Sequence, residues 1–187
     1  MALAKTVNKI SIADYLAGEL VSEVKHEYID GEVHAMAGTS RQHNRVARRL
    51  LARLESHLED GPCEPFFAEL KVYVPAVNCF YYPDLAVTCD PTDDDEYYLT
   101  RPVLLVEVLS LSTARIDRRE KLSSYQTLES LQEYLILAQD RVEATLYRRL
   151  ADGGWKPYEL AEGDILRLDS VGLELPLAEL YEGAVFS

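Results

Sequence analysis

Two runs of the 187-residue chain combine strand-like composition with a carboxylate that a strand interior should exclude. They are Tyr82-Pro83-Asp84-Leu85-Ala86-Val87 and Arg101-Pro102-Val103-Leu104-Leu105-Val106-Glu107-Val108-Leu109-Ser110. In the second, period-two alternation puts Val103, Leu105, Glu107 and Leu109 on one face and Leu104, Val106 and Val108 on the other. With both faces apolar, Glu107 belongs to a central, covered strand. Left ionised and unpaired there, it would cost several kcal/mol out of a domain stability of roughly 5–15 kcal/mol. Something cationic must face it: a divalent metal shared with Asp84, or a lysine. Lys121, with Asp117 four residues before it, is the lysine at hand.

Two carboxylates are the hard oxygen ligands that Mg²⁺ or Mn²⁺ takes one or two at a time, alongside water and substrate phosphate. Such a site hydrolyses phosphodiesters: the metal acidifies a bound water and offsets charge on phosphorus, while an ammonium orients the nucleophile or stabilises the pentacovalent state. Residue types and positions alone leave this as one option among several. Asp84 after a proline could simply cap a turn, and Glu107 could be a buried ion-pair partner of Lys121 or Arg115. A glycosidase using two of Glu69, Asp84 and Glu107 would need carboxyls about 5–10 Å apart. Neither run brings the aromatic platform such sites show.

The elements that would position these groups follow from pattern. Ser11-Ile-Ala-Asp14 has capping-box spacing and predicts a short helix ending at Gly18 or soon after. Residues 25–36 read as a hairpin around the type I′ turn signal Asp30-Gly31, from which Glu27, Glu32 and His34 could face a site or simply point to solvent. Thr39 or Ser40 caps a helix running to about Leu58, with Val46, Leu50, Leu54 and Leu58 inward. On it Arg41, Arg45, Arg49 and Arg53 form a basic row, either a phosphate surface or a solvated face paired with Glu55 and Glu59. His43 lies near the same helix end, where anions are favoured, in a supporting role.

Beyond the Gly61-Pro62 break, residues 64–75 read as one strand, antiparallel to the Pro83-Asp84 strand. Residues 110–113 form a polar turn, 116–128 a helix, and 133–138, 142–147 and 155–160 strands. A right-handed crossover makes 133–138 parallel to 103–109. The tail, 165–186, is short strand and a final helical turn.

Length and a 48% hydrophobic content predict one domain. No apolar run approaches a membrane span and no signal-peptide core opens the chain, so a soluble, cytoplasmic protein is expected. Three cysteines without a CxxC pair, Cys63, Cys79 and Cys89, indicate neither a disulfide framework nor a zinc site and read as core or incidental thiols. A net charge of -13 excludes coating nucleic acid by bulk electrostatics, so any such contact is local. The acidic stretch 90–96 reads as a solvated turn, since EF-hand spacing is absent.

Pro83-Asp84, Glu107-Val-Leu-Ser110-Leu-Ser112-Thr113, Asp117-Arg-Arg-Glu-Lys121, Tyr125 and Glu133-Tyr134 resemble the Uma-type family of endonuclease-like bacterial proteins. The resemblance extends upstream through 25–32 and His43, and downstream from Val142 to Trp155. That family is placed in the PD-(D/E)XK, or restriction-endonuclease-like, superfamily. The resemblance implies an α/β (α+β) fold: a four- or five-stranded mixed sheet flanked by helices, with an N-terminal hairpin and extra C-terminal strands. It implies an endodeoxyribonuclease with Asp84 and Glu107 as ligands of Mg²⁺ or Mn²⁺. The superfamily's lysine stands two positions after the acid, which here is Leu109. The family pattern moves the lysine to the next helix, matching Lys121, with Asp117 as its partner. Glu32, His43 and Ser110 are supporting positions, Arg41, Arg45, Arg115 and Arg118 lie near DNA phosphates, and a homodimer would cut both strands. The runner-up is a catalytically inactive binding or dimerisation module on the same fold.

Overall fold

Ser11 opens the first helix by accepting the Asp14 backbone N–H, and α1 (Ile12–Glu19) buries Tyr15. The computed structural model describes residues 9–109, 114–184 and 186, excepting the side chains of 114–118. Asp30 (φ 44°) and Gly31 (φ 96°) adopt the left-handed conformations of a tight hairpin between β1 (His26–Ile29) and β2 (Glu32–Ala35). Ser40 takes the His43 N–H at 3.0 Å and starts α2 (Arg41–Leu58), whose buried row is Val46, Ala47, Leu50, Leu54 and Leu58.

The single strand expected over 64–75 is two strands in different sheets, β3 (Glu64–Phe67) and β4 (Lys71–Val74). Between them Ala68 takes a positive φ of 32° and donates its N–H to the Asp84 carbonyl, so the chain turns out of one sheet and into the other. Apolar alternation along the sequence concealed this break, although the two halves differ in burial, β3 half-buried and β4 mostly buried. Then come β5 (Cys79–Tyr81), β6 (Leu85–Thr88), β7 (Tyr98–Leu99), β8 (Pro102–Leu109), α3 (Ala114–Tyr125), β9 (Glu133–Ala138), β10 (Glu143–Arg149), β11 (Trp155–Ala161), β12 (Ile165–Leu168) and β13 (Leu173–Pro176).

The main sheet has six strands, more than the four or five expected, in the order β11-β10-β9-β8-β6-β3, with β8 and β9 parallel and the other pairs antiparallel. A second sheet runs β2-β1-β5-β4-β7, and β12 pairs with β13 alone. Leu85, Val87, Leu104, Val106 and Leu135 meet the inward row of α2 on one face of the main sheet. On the other, Leu105, Leu109 and Ile136 pack with Tyr125 and Tyr134. The central strand β8 is thus covered on both sides, as its composition requires.

The cysteine reading needs correction: Cys63 and Cys89 form a disulfide, and only Cys79 is a free, buried thiol. They stand one step beyond the cross-strand pair Glu64 and Thr88, a proximity created by β3–β6 pairing that linear spacing does not reveal. Among the described residues, no helix is long and apolar enough to cross a membrane.

Candidate active site

The register that pairs Leu85 with Val106 brings Asp84, one step further, level with Glu107 on the neighbouring strand. Residues directly opposite in an antiparallel pair project from the same face. Glu107 is 5% exposed. Asp84 is fixed at both oxygens: Oδ2 accepts the Val108 N–H at 2.7 Å, and Oδ1 lies 2.7 Å from His43 Nε2. The cap that starts α2 therefore also delivers His43 to Asp84.

From the opposite side, α3 presents Lys121 and, one turn later, Tyr125. Lys121 Nζ donates to Glu107 Oε1 at 3.0 Å, and Tyr125 OH donates to the same oxygen at 3.2 Å. Lys121 Nζ also lies 2.7 Å from Oε1 of Glu27, on β1. Glu27, His43, Asp84, Glu107 and Lys121 line one cavity of about 470 Å³, together with His34, which faces Glu27 across the hairpin.

Two carboxylates, Glu27 and Glu107, thus pair with one ammonium, and a third, Asp84, lines the same cavity. The Glu107 carboxyl is pushed up to about 8, first by burial and then by the Asp84 and Glu27 charges, with Lys121 pulling the other way. Burial, then Glu107, raises Tyr125 well above the usual phenol range, so it remains a donor. The cluster carries more negative than positive charge in a site where desolvation is expensive. Among the described residues, no three His, Cys, Asp or Glu side chains surround one point as ligands. Mg²⁺, however, needs only one or two protein carboxylates, and Asp84 with Glu107 fits that requirement in number, hardness and charge.

Of the residues singled out from sequence, Asp84, Glu107, Lys121 and His43 come together. Glu32 does not: it is exposed near the turn, with His34 3.8 Å away, and is absent from the cavity lining. Arg41 is exposed on a shallow concave face with Asn44 and Arg48, and Thr39 and Ser40 line both this face and the cavity. Arg45 lines the same face but is tied down there, donating to Gln42 Oε1 at 3.0 Å and to the Gly183 carbonyl at 2.8 Å. Arg49 and Arg53 likewise bind Glu182 and Glu179 rather than Glu55 and Glu59. Ser110 and the side chains of Arg115, Asp117 and Arg118 lie outside the described residues. Glu69 is exposed and paired with Lys25, away from Glu107.

Glu27 lines the cavity and Glu32 does not. Both occupy the same face of the hairpin, and only distance from the turn separates them: the pairing of Glu27 with His34, against Ile29 with Glu32, puts the former two residues deeper.

Residues 12–178 match the Uma2 family, described as "Putative restriction endonuclease". An uncharacterised Synechocystis protein, slr1290, is 37% identical over 179 residues, covering 95% of this chain and 94% of its own. A second from that organism, sll1609, is 32% identical over 163 residues, covering 86% and 92%. A crystal structure described as "a putative nuclease belonging to DUF820 from Anabaena variabilis" superposes with a TM-score of 0.72 at 16% identity, covering 92% of this chain and 98% of that one. The likeness establishes the restriction-endonuclease-like fold, and with the family match over nearly its whole length, the chain belongs to the Uma2 family.

Proposed function

We propose that this protein is a divalent-metal-dependent nuclease that hydrolyses DNA phosphodiesters, with Asp84 and Glu107 holding Mg²⁺ or Mn²⁺ and Lys121 acting on the phosphate. The observation that carries the reading is the meeting of Asp84, Glu107 and Lys121, from separate segments, around one cavity. When bound, a divalent cation supplies an acidified water and offsets charge on the phosphoryl group. The chain's own groups do the rest. Val108 N–H and His43 fix the Asp84 carboxylate, and Tyr125 OH holds Glu107 from the α3 side. Lys121 brings an ammonium to the site where charge develops.

Phosphates flanking the scissile one meet Arg41, joined by Arg48, which completes the exposed face leading from the cavity. Arg115 and Arg118, at the start of α3, are proposed to contact the strand from the other side.

Supercoiled plasmid incubated with Mg²⁺ or Mn²⁺ tests this. Nicking is expected from the wild type, and Asp84→Ala or Lys121→Ala should lower the rate by roughly 10²-fold or more, as expected when a group stabilising transition-state charge is removed. Linear product appearing in step with nicked circles would report the homodimer. A second reading, a binding module without chemistry, is favoured by one observation: Lys121 gives the Glu107 carboxylate a cationic partner from the chain itself. Plasmid left intact by the wild type under every metal would select it.

A further inference from the structure

Lys121 is held from two sides, by Glu107, a proposed metal ligand, and by Glu27. Glu107 approaches from the main sheet with a hydrogen bond at 3.0 Å, and Glu27 from the hairpin as an ion pair at 2.7 Å not aligned for a hydrogen bond, all three side chains being at least four-fifths buried. The hairpin that carries Glu27 is itself fixed. Tyr28 pairs with Phe80 on β5, its hydroxyl donates to the Ile10 carbonyl, and its ring packs against Tyr15 and Phe80. Glu27 is thus a carboxylate on a rigid support, whereas Lys121 sits on a flexible four-carbon stem.

This arrangement answers a difficulty created by moving the lysine off the strand. Lys121 Nζ and a metal ion both seek the Glu107 carboxylate, and an ammonium drawn to Glu107 competes with the cation for it. We infer that Glu27 is a positioning residue: it retains the Lys121 ammonium in the cavity while Glu107 turns to the cation, so that both cations occupy the site together. Glu27 pairs with the lysine and is not itself a ligand. The inference rests on the metal-dependent reading above.

The purified full-length protein, titrated calorimetrically with Mn²⁺ alone, provides the test. Glu27→Gln should bind Mn²⁺ about tenfold more weakly than the wild type, the lower end of the effect of removing a carboxylate that orients a metal site from outside it. Adding Lys121→Met to Glu27→Gln removes the competitor and should restore affinity to within about threefold of Lys121→Met alone, because only closely coupled residues depart from additivity in this way. Glu27→Asp, which keeps the charge on a shorter arm, should show a smaller loss and guards against a variant that fails to fold. In turnover, Glu27→Gln should lower kcat and leave KM for DNA unchanged.

The inference is overturned if Glu27→Gln binds Mn²⁺ like the wild type, or if Lys121→Met fails to rescue it, which would make Glu27 a ligand or a purely structural acid. If the wild type binds no Mn²⁺, or Asp84→Ala binds it as tightly, the metal-dependent reading itself fails, and this inference with it.

Discussion

Glu107 is a buried carboxylate whose ionisation burial opposes. Burial raises its carboxyl to about 8, so the folded protein holds a proton that the unfolded chain releases near the ordinary glutamate value. The sign follows from linkage: between those two values the native state binds more protons, so this contribution to stability is present in acid and is lost as pH rises through about 8. Metal-free protein should therefore lose urea resistance across that window, and Glu107→Gln should flatten the slope. An unchanged slope would show that Glu107 stays ionised beside Lys121. Mn²⁺ affinity should run the opposite way, tightening with pH as the cation displaces the proton.

The sequence showed that Glu107 needed a cationic partner, because a carboxylate in a two-faced apolar strand admits few alternatives. It did not show that Lys121 would serve two acids, since choosing Glu27 over Glu32 requires knowing how far the hairpin reaches over the sheet.

Helix α2 couples stability to the site. Ser40 caps it, and the residue it caps, His43, holds Asp84. Ser40→Ala should cost about 1 kcal/mol in denaturant unfolding, the usual value of an N-cap, and should also weaken Mn²⁺ binding by loosening Asp84. A stability loss with unchanged metal affinity would uncouple the two roles.

The helix was readable because caps and a 3.6-residue apolar period agree along it. The β3–β4 stretch was not, because its break depends on Ala68 meeting the Asp84 carbonyl, a contact between chain segments. The same pairing brings Cys63 to Cys89, 26 residues away. Replacing both with alanine should lower stability by about 3 kcal/mol on loop-entropy grounds. A melting temperature unaffected by the substitution or by reductant would argue that the thiols are unpaired.

The whole molecule is strongly acidic, yet its proposed partner is a polyanion. Binding must then be confined to a short positive track, and Arg41 and Arg48 lie seven positions apart on α2, about 10 Å along the helix axis. DNA affinity measured in Ca²⁺ should depend on salt only modestly. Arg41→Gln and Arg48→Gln should each reduce the slope of log K against log salt by about 1. Arg45→Gln, whose partners are Gln42 and the Gly183 carbonyl, should leave that slope unchanged. Equal effects from all three would mean that the C-terminal segment yields its arginine to DNA.

Leu109, which occupies the superfamily's usual lysine position, is an ordinary core residue packed with Leu105 and Tyr125. The sheet is therefore complete without the lysine proposed to act on the phosphate. An ammonium built into a central strand cannot be withdrawn without unzipping neighbouring strands, but one carried on α3, as Lys121 is, can retreat when that single helix lifts. Amide exchange should show α3 opening at lower free energy than β8, which would give this fold a way to disarm itself while remaining folded.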